Sequence, residues 1–281
     1  MNSDEEIQLI GKLVGLIGDD LFCPLLASVG QDMTGYDSTV IIAYSARQKP
    51  ILIYNNLSEL DESNTLTPYF DGAYLLDPLY STYRSHASDG IYPIAQIAPE
   101  DFFKTEYYQS YYRKTKIVNE TGMLVNINDD ICISISYGLR ESSKPLGSRI
   151  ENLAKLFPIL CACCKQHWSN KNQLAVLKNH ITNQGEFGVT LDSAFKNFGK
   201  NYLTPRECEV VHLILKGYSS KAISTLLGIS LETVKVHCKR FHTKLGVSSH
   251  AELFSLFLEA ISLVPLGLGN KDPLSYFYEP Q

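Results

Sequence analysis

The sequence predicts an α+β N-terminal domain, an antiparallel sheet with flanking helices, followed by an all-α C-terminal domain of four helices. Three observations predict it. Short β-rich runs lie at 39–44, 51–54, 122–128 and 131–137, and a long aromatic-rich stretch of partly helical character separates the first pair from the second. Apolar residues return to a helical period after residue 149. Near the C-terminus, Thr-Pro, Ser and Gly signals cut the chain into four short helices. The expected division is 1–165 for the α+β domain, 166–201 for a helical linker, 202–262 for the four-helix domain and 263–281 for an extension.

Taken in order, Ile7, Ile10, Leu13, Val14 and Ile17 share a helix face and predict an amphipathic first helix. The run at 131–137 alternates strictly, as a half-buried strand does, and Asn128-Asp129-Asp130 before it suits a hairpin turn. Leu153, Leu156, Leu160, Cys163, His167, Asn170, Leu174, Leu177 and Ile181 then follow a 3,4 spacing that predicts a long helix with a pairing seam. Pro158 falls inside it and predicts a kink or a new start.

Bulk properties bound the function. With 281 residues, 44% hydrophobic and 20% charged, the chain reads as folded throughout. No stretch has the length and apolarity of a membrane span and the N-terminus is acidic, so a cytoplasmic location without membrane contact is expected. Seven cysteines without paired spacing read as reduced packing residues, and neither a metal site nor a cofactor loop is recognisable. The net charge of −5 hides an asymmetry: residues 196–260 carry nine Lys or Arg against five Asp or Glu, a local +4, which leaves −9 for the rest. A small basic module on an acidic body suits a phosphate-binding domain attached to a sensor.

Within the basic module, Thr204 caps a helix with Pro205 at its first position and Glu207 completing a capping box. Val210, Val211, Ile214 and Leu215 form its apolar face, and Gly217 ends it. Ser219 or Ser220 opens a second helix whose Ile223, Leu226 and Leu227 point one way. After Gly228, Ser230 caps a third helix with Val234, Cys238, Phe241 and Leu245 as the buried stripe. Gly246 stops it, and Ser249 with Glu252 predicts a second capping box for a fourth. A short helix, a tight Gly turn and a longer helix with a cationic outer face are the parts of a helix-turn-helix. Opposite its stripe the third helix exposes Lys235, Val236, Lys239, Arg240 and Thr243. Lysine can donate to guanine and Val236 can meet a thymine methyl, whereas Thr233, His237 and Arg240 are placed for phosphates.

Leu203-Thr204-x-Arg206-Glu207-x-Glu209-Val210, Gly217, Ser220-Lys221-x-Ile223, Thr233-Val234-Lys235-Val236-His237 and Lys244-Leu245-Gly246-Val247 together resemble the LuxR-type (NarL/FixJ-like) helix-turn-helix over about 50 residues. The resemblance implies a transcription regulator that binds double-stranded DNA in the major groove, often at inverted repeats, with the fourth helix pairing two modules as a homodimer. RNA polymerase is a further partner expected of such a regulator. The DNA-facing positions implied are Thr233, Lys235, Val236, His237, Lys239 and Arg240. Two departures stand out: His250 occupies a position that is commonly basic, and Ser224 one that is commonly alanine.

For the N-terminal half, Tyr69, Tyr74, Asp77, Tyr80, Tyr107 and Tyr111 are the candidate lining of a small-molecule effector pocket, since aromatic walls with a few polar groups are what such sites use. The strand, helix and strand layout resembles PAS or GAF-like sensor domains. Asp77-Pro78 resembles a step found in acyl-homoserine-lactone receptors, but the tryptophans expected there are missing and the only one is Trp168. A phosphorylated receiver is argued against because Asn55-Asn56, not an aspartate, follows the strand at 51–54. Two further readings stay open: an N-terminal half that only dimerises, and an enzyme using His86 with Asp89 or Asp77 with Tyr80, neither of which has a nucleophile or metal ligands beside it.

Overall fold

The computed structural model of the chain describes residues 3–45, 48–105, 108–109, 112–140, 146–170, 173–175, 177, 193–265 and 270–278. In chain order its elements are α1 (Ser3–Gly15), α2 (Phe22–Thr34), β1 (Ser38–Ser45), β2 (Gln48–Asn55), α3 (Glu59–Phe70), α4 (Pro78–Arg84), β3 (Gly90–Pro93), α5 (Ile94–Ile97), β4 (Asn119–Asn126), β5 (Ile131–Leu139), α6 (Leu146–Ser169), α7 (Pro205–Leu215), α8 (Ser220–Leu227), α9 (Leu231–Leu245), α10 (His250–Ser262) and α11 (Pro273–Tyr278). They form two compact units: one of Met1–Ser63, Thr82–Ile97 and Lys116–Gly185, the other of Asn64–Ser81, Ala98–Thr115 and Glu186–Gln281.

The first unit is a five-stranded antiparallel sheet in the order β2-β1-β5-β4-β3. The hairpin between β4 and β5 turns where the sequence predicts, because Asn128 Oδ1 accepts the backbone N–H of both Asp130 and Ile131 at 2.9 Å. β5 differs from expectation. It is the middle strand, and Cys132 and Ser134 on the face opposite Ile131, Ile133 and Ile135 are as buried as the isoleucines. Small Cys, Ser and Gly side chains look polar in a pattern but fit a face that is covered. β3 went unpredicted, being four residues long and ending in Pro93 at the sheet edge, where a missing N–H is tolerated.

One sheet face carries Ile41, Ala43, Met123, Val125, Ile133, Ile135 and Tyr137 and is covered by α2 and α6. This changes the meaning of the long heptad pattern. Leu153, Leu156, Leu160, Cys163 and His167 are all buried in the unit's own core, so the predicted pairing seam is a sheet-packing stripe. A sheet face of that size must be covered by something, and α6 lies on it. The helix runs without interruption through Pro158, which sits on its exposed side. Burial holds all seven thiols above the ordinary cysteine range, with Cys23 and Cys132 pushed up to about 12, so they act as packing groups and not as nucleophiles.

α2 approaches the sheet closely because Gly30 has no side chain. A Cβ there would lie 2.2 Å from Tyr137 Cε1, and Tyr137 is fully buried. Alanine inside a helix is normally better than glycine by about 1 kcal/mol. Here the sign reverses, since forcing a methyl into a filled contact costs about 1–3 kcal/mol. Gly30→Ala is therefore expected to lower the thermal and urea midpoints of the full chain. An unchanged or raised midpoint would show that the contact relaxes freely.

Candidate nucleic-acid interface

The second unit is helical, and α7 to α10 are the four helices expected. Thr204 caps α7 with both arms of the capping box in place: its side chain accepts from Glu207 N–H, and Glu207 Oε2 accepts from Thr204 N–H at 2.8 Å. The same carboxylate oxygen accepts Lys244 Nζ at 2.6 Å from the last turn of α9. Glu207 is 2% exposed. Burial alone would raise its pKa, but Lys244 and the Thr204 N–H outweigh burial and hold it below the usual carboxylate range. Arg206 adds a second tie, donating to Leu227 O at the end of α8 while pairing with Glu209. The start of α7 thereby fixes the ends of both helices of the helix-turn-helix.

Ser219 caps α8 and Ser230 caps α9. The turn between them passes through Gly228 at φ +62, where no neighbour would touch a Cβ, so only the left-handed backbone calls for glycine. In α8, Ile223 is buried but Leu226 is 57% exposed, contrary to the expected shared face. Leu226 lies three residues past Ile223, about 60° round an eight-residue helix with room to bury one narrow stripe.

α9 presents the predicted outer face. Val234, Phe241 and Leu245 are buried, Cys238 is half-buried, and Lys235, Val236, Lys239, Arg240 and Thr243 are exposed. Val236 stands out as a 47% exposed aliphatic side chain between two lysines in sequence register. Lys235 Nζ pairs with Glu232 at 2.7 Å, an exposed contact weak enough for DNA to replace. Thr233 shares its hydroxyl with the Ser230 cap at 2.8 Å, which fixes it at the helix N-terminus where phosphates are held. His237 is half-buried and its Nδ1 has no hydrogen-bond partner among the described residues.

Beside this face an open groove of about 620 Å³ is lined by Lys235, Lys239, His242, Thr243, Ser248 and His250. The rings of His242 and His250 lie 6.1 Å apart. Both have lowered pKa values, His242 through burial against the opposing pull of Glu252, and His250 through burial and then through His242. Glu252 does not close the box predicted with Ser249. Its N–H binds Ser249 Oγ, but its carboxylate takes Ser248 N–H and Oγ at 2.7 and 2.8 Å.

α10 buries Leu253, Phe254, Leu256, Phe257, Ala260 and Ile261 inside its own unit, with Phe195 and Phe198 edge-on to Phe257 at 5.5 and 5.4 Å. Its outward stripe is Glu252, Ser255, Glu259 and Ser262. The C-terminal extension, which the sequence left unplaced, packs here too. Buried Asp272 accepts from Gly199 N–H and Asn201 N–H, and Tyr278 OH donates to Leu245 O at 2.8 Å, capping the last turn of α9.

Of the candidate pocket residues, Tyr69, Tyr74, Asp77 and Tyr80 come together in this second unit. Tyr69 OH donates to Asp77 Oδ2 at 2.7 Å, and Tyr74 meets Tyr80 edge-on at 4.9 Å. Tyr107 and Tyr111 lie outside the described residues. Asp77 also caps Leu79 N–H. Asp89, the other acid considered for catalysis, binds Lys165 and Asn126. The loop at Phe102 seats against Gly217 at φ +92, where a Cβ would fall 3.1 Å from Phe102 Cα. No group of metal-ligating side chains occurs among the described residues, and no described helix is long and apolar enough to cross a membrane.

Residues 201–257 match the luxR family of bacterial regulatory proteins. An HTH-type transcriptional regulator of Aeromonas salmonicida, encoded in the exeN 3′ region, is 28% identical over 192 residues, covering 68% of this chain and 97% of the relative. The nitrate/nitrite response regulator protein NarP of Escherichia coli (strain K12) is 44% identical over 57 residues, 20% of this chain, and the matched stretch spans only 26% of NarP. Among solved structures, the VqsR LBD domain from Pseudomonas aeruginosa is similar with a TM-score of 0.51 and 24% identity, over 58% of this chain and 95% of that domain, which shows a shared fold. The matched family is one of regulators and not of enzymes.

Glu207 and Lys244 give a test of how α9 is held. Lys244→Ala leaves a buried carboxylate without its cation, and after allowance for the partial exposure of Lys244 this costs about 1–2 kcal/mol. Because the folded pKa of Glu207 is lowered, its stabilisation is complete above the unfolded value near about 4.3 and fades as the pH falls through the folded one. In urea unfolding of the full chain, the variant should be weaker at pH 7 and lose less on acidification than the parent. Equal losses for both would remove Glu207 from this role.

Proposed function

We propose that this chain, whose residues 201–257 match the luxR family of bacterial regulatory proteins, is a DNA-binding transcription regulator whose α9 enters the major groove of an operator and reads it with Lys235, Val236 and Lys239. The observation that carries this reading is the exposure of these three side chains, with Arg240 and Thr243, on one face of a helix capped at both ends. Lysine ammonium groups offer donors to guanine O6 and N7, and the Val236 methyls offer apolar contact to thymine. Arg240, His237 and the N-terminal Thr233 contact phosphates and set the register without reading sequence.

The regulator acts in the cytoplasm as a homodimer on an inverted-repeat operator, and it reaches RNA polymerase from that site. Only the polar stripe of α10 is open to a second copy in the described fold. Pairing through that helix brings Glu252 and Glu259 to the contact, so the N-terminal unit takes a share of the dimer. That unit responds to a small molecule, a reading supported by its fold likeness to a domain named as the LBD of VqsR. Segments 64–81 and 98–115, which are continuous with N-terminal strands and helices, pack among the C-terminal helices and give an effector a covalent route to the DNA-binding unit. An effector acts only as far as it binds the two DNA-affinity states differently.

Gel-shift titrations on an operator selected from random sequence test the reading helix. Lys235→Ala with Lys239→Ala should weaken binding about a hundredfold at moderate salt while leaving the circular dichroism spectrum unchanged. Arg240→Ala should reduce the slope of log affinity against log salt by about 1. An unaltered affinity in the double variant would remove α9 from the groove.

A further inference from the structure

A cavity of about 280 Å³ opens in the first unit between the edge strand β2, the turn before α2 and the end of α6. Its lining includes Asp19, Asp20, Cys23, Tyr54, His167 and Trp168. None of the residues chosen from the sequence as a pocket lies here, and the cavity belongs to a different unit from the cluster of Tyr69, Tyr74, Asp77 and Tyr80.

Three features of its chemistry point the same way. His167 is 3% exposed, and its Nδ1 accepts Gly18 N–H at 3.0 Å. Burial pushes its pKa down to about 4, so the ring is neutral and its proton must sit on Nε2, which has no partner among the described residues. The ring is held rigidly, stacked on Phe22 at 4.1 Å and edge-on to Trp168 at 4.9 Å. A rigidly held N–H on a residue that lines the cavity is a donor available to an acceptor from outside.

The second feature is charge. Asp19 and Asp20 both border the cavity, and neither has a basic partner among the described residues. Asp19 Oδ1 accepts Leu21 N–H at 2.8 Å, which turns this carboxylate toward the start of α2. Two neighbouring carboxylates at the mouth of a low-dielectric recess concentrate a negative potential there. The third is the wall itself. Ile51, Leu52 and Ile53 give one apolar side, and the rings of Tyr54 and Trp168 supply faces suited to a cation or a flat ring. The Gln173 amide is occupied by Gly18 O at 2.9 Å, which fixes the rim and leaves its carbonyl oxygen as a further acceptor.

We propose that this cavity binds a small organic amine, with the ammonium at Asp19 and Asp20, the apolar body between β2 and Trp168, and an acceptor oxygen on that body at His167 Nε2. The volume lies at the small end for ligand sites, about 300 Å³ and upward, and limits the occupant to one ring or a short chain. The site gives a location and a ligand class to the effector reading above, and its regulatory meaning rests on that reading.

Tyramine is the probe, because it carries an ammonium, one ring and a phenolic oxygen. Tyrosol, the alcohol with the same ring, and phenethylamine, which lacks the phenol, are its controls. Calorimetric titration of the full chain should show saturable tyramine binding, with tyrosol and phenethylamine each weaker by about tenfold or more. Asp20→Asn should weaken tyramine by a similar factor and leave tyrosol unchanged. Asp19 supports α2, so its Asn variant is compared only after the unliganded melting curve is shown to match the parent. Tyrosol binding as tightly as tyramine, tyramine binding unaffected by Asp20→Asn, or no heat at millimolar tyramine would each overturn the proposal. Operator affinity measured in the same titration separates the two readings. A tyramine complex with unaltered operator affinity keeps the site and overturns the effector reading, whereas absence of binding overturns the site and leaves an effector elsewhere untouched.

Discussion

A carboxylate taken out of water must be given donors or a cation, and Glu207 receives both, from the Thr204 N–H on its own helix and from Lys244 at the far end of α9. That arrangement joins the first turn of α7 to the last turn of α9. Arg206, one position earlier, closes the end of α8 through Leu227 O. Tyr278 then caps α9 from the C-terminal extension. With the last turn of α9 fixed in this way and Ser230 capping its start, its outer face can present Lys235, Val236 and Lys239 as a rigid set, and rigidity is what base readout requires, because a bidentate contact loses its discrimination when the donor wanders.

The C-terminal module was legible in the sequence because its signals are local. Thr204, Ser219, Ser230 and Ser249 cap helices within a few residues of themselves, and Gly217, Gly228 and Gly246 end them through positive φ. The charged face of α9 follows from helical geometry alone. What could not be read were the contacts between distant segments. Lys244 meets Glu207 across 37 positions and Asp272 meets Gly199 across 73, and no spacing rule predicts either. Phe195 and Phe198 looked like linker because they precede the first cap, yet both are core residues.

In the N-terminal half the strands were legible where β-branched residues cluster and illegible where a strand is short or made of small residues, as in β3 and one face of β5. The heptads of α6 show a more general ambiguity. A 3,4 stripe states that one side of a helix is buried but not what buries it, and the sheet is an equally good partner as a second helix. His167 is a polar position within that same stripe. In the fold it binds Gly18 N–H through Nδ1 and lines a cavity, so it brings a polar group to an otherwise apolar stripe. The likeness to the VqsR domain is one of fold, while the site's own chemistry comes from Asp19, Asp20, Tyr54 and Trp168 of this chain.

The most direct measurement of the central claim is the affinity of the parent, Val236→Ala and Lys239→Ala for a panel of operators in which each base pair is replaced in turn. If α9 reads bases from a fixed position, each variant loses its preference at one or two adjacent base pairs, by about 1–3 kcal/mol, and keeps it elsewhere. Uniform weakening across the panel, with every preference intact, would show that these side chains only hold the phosphate backbone and that sequence is read by another part of the protein.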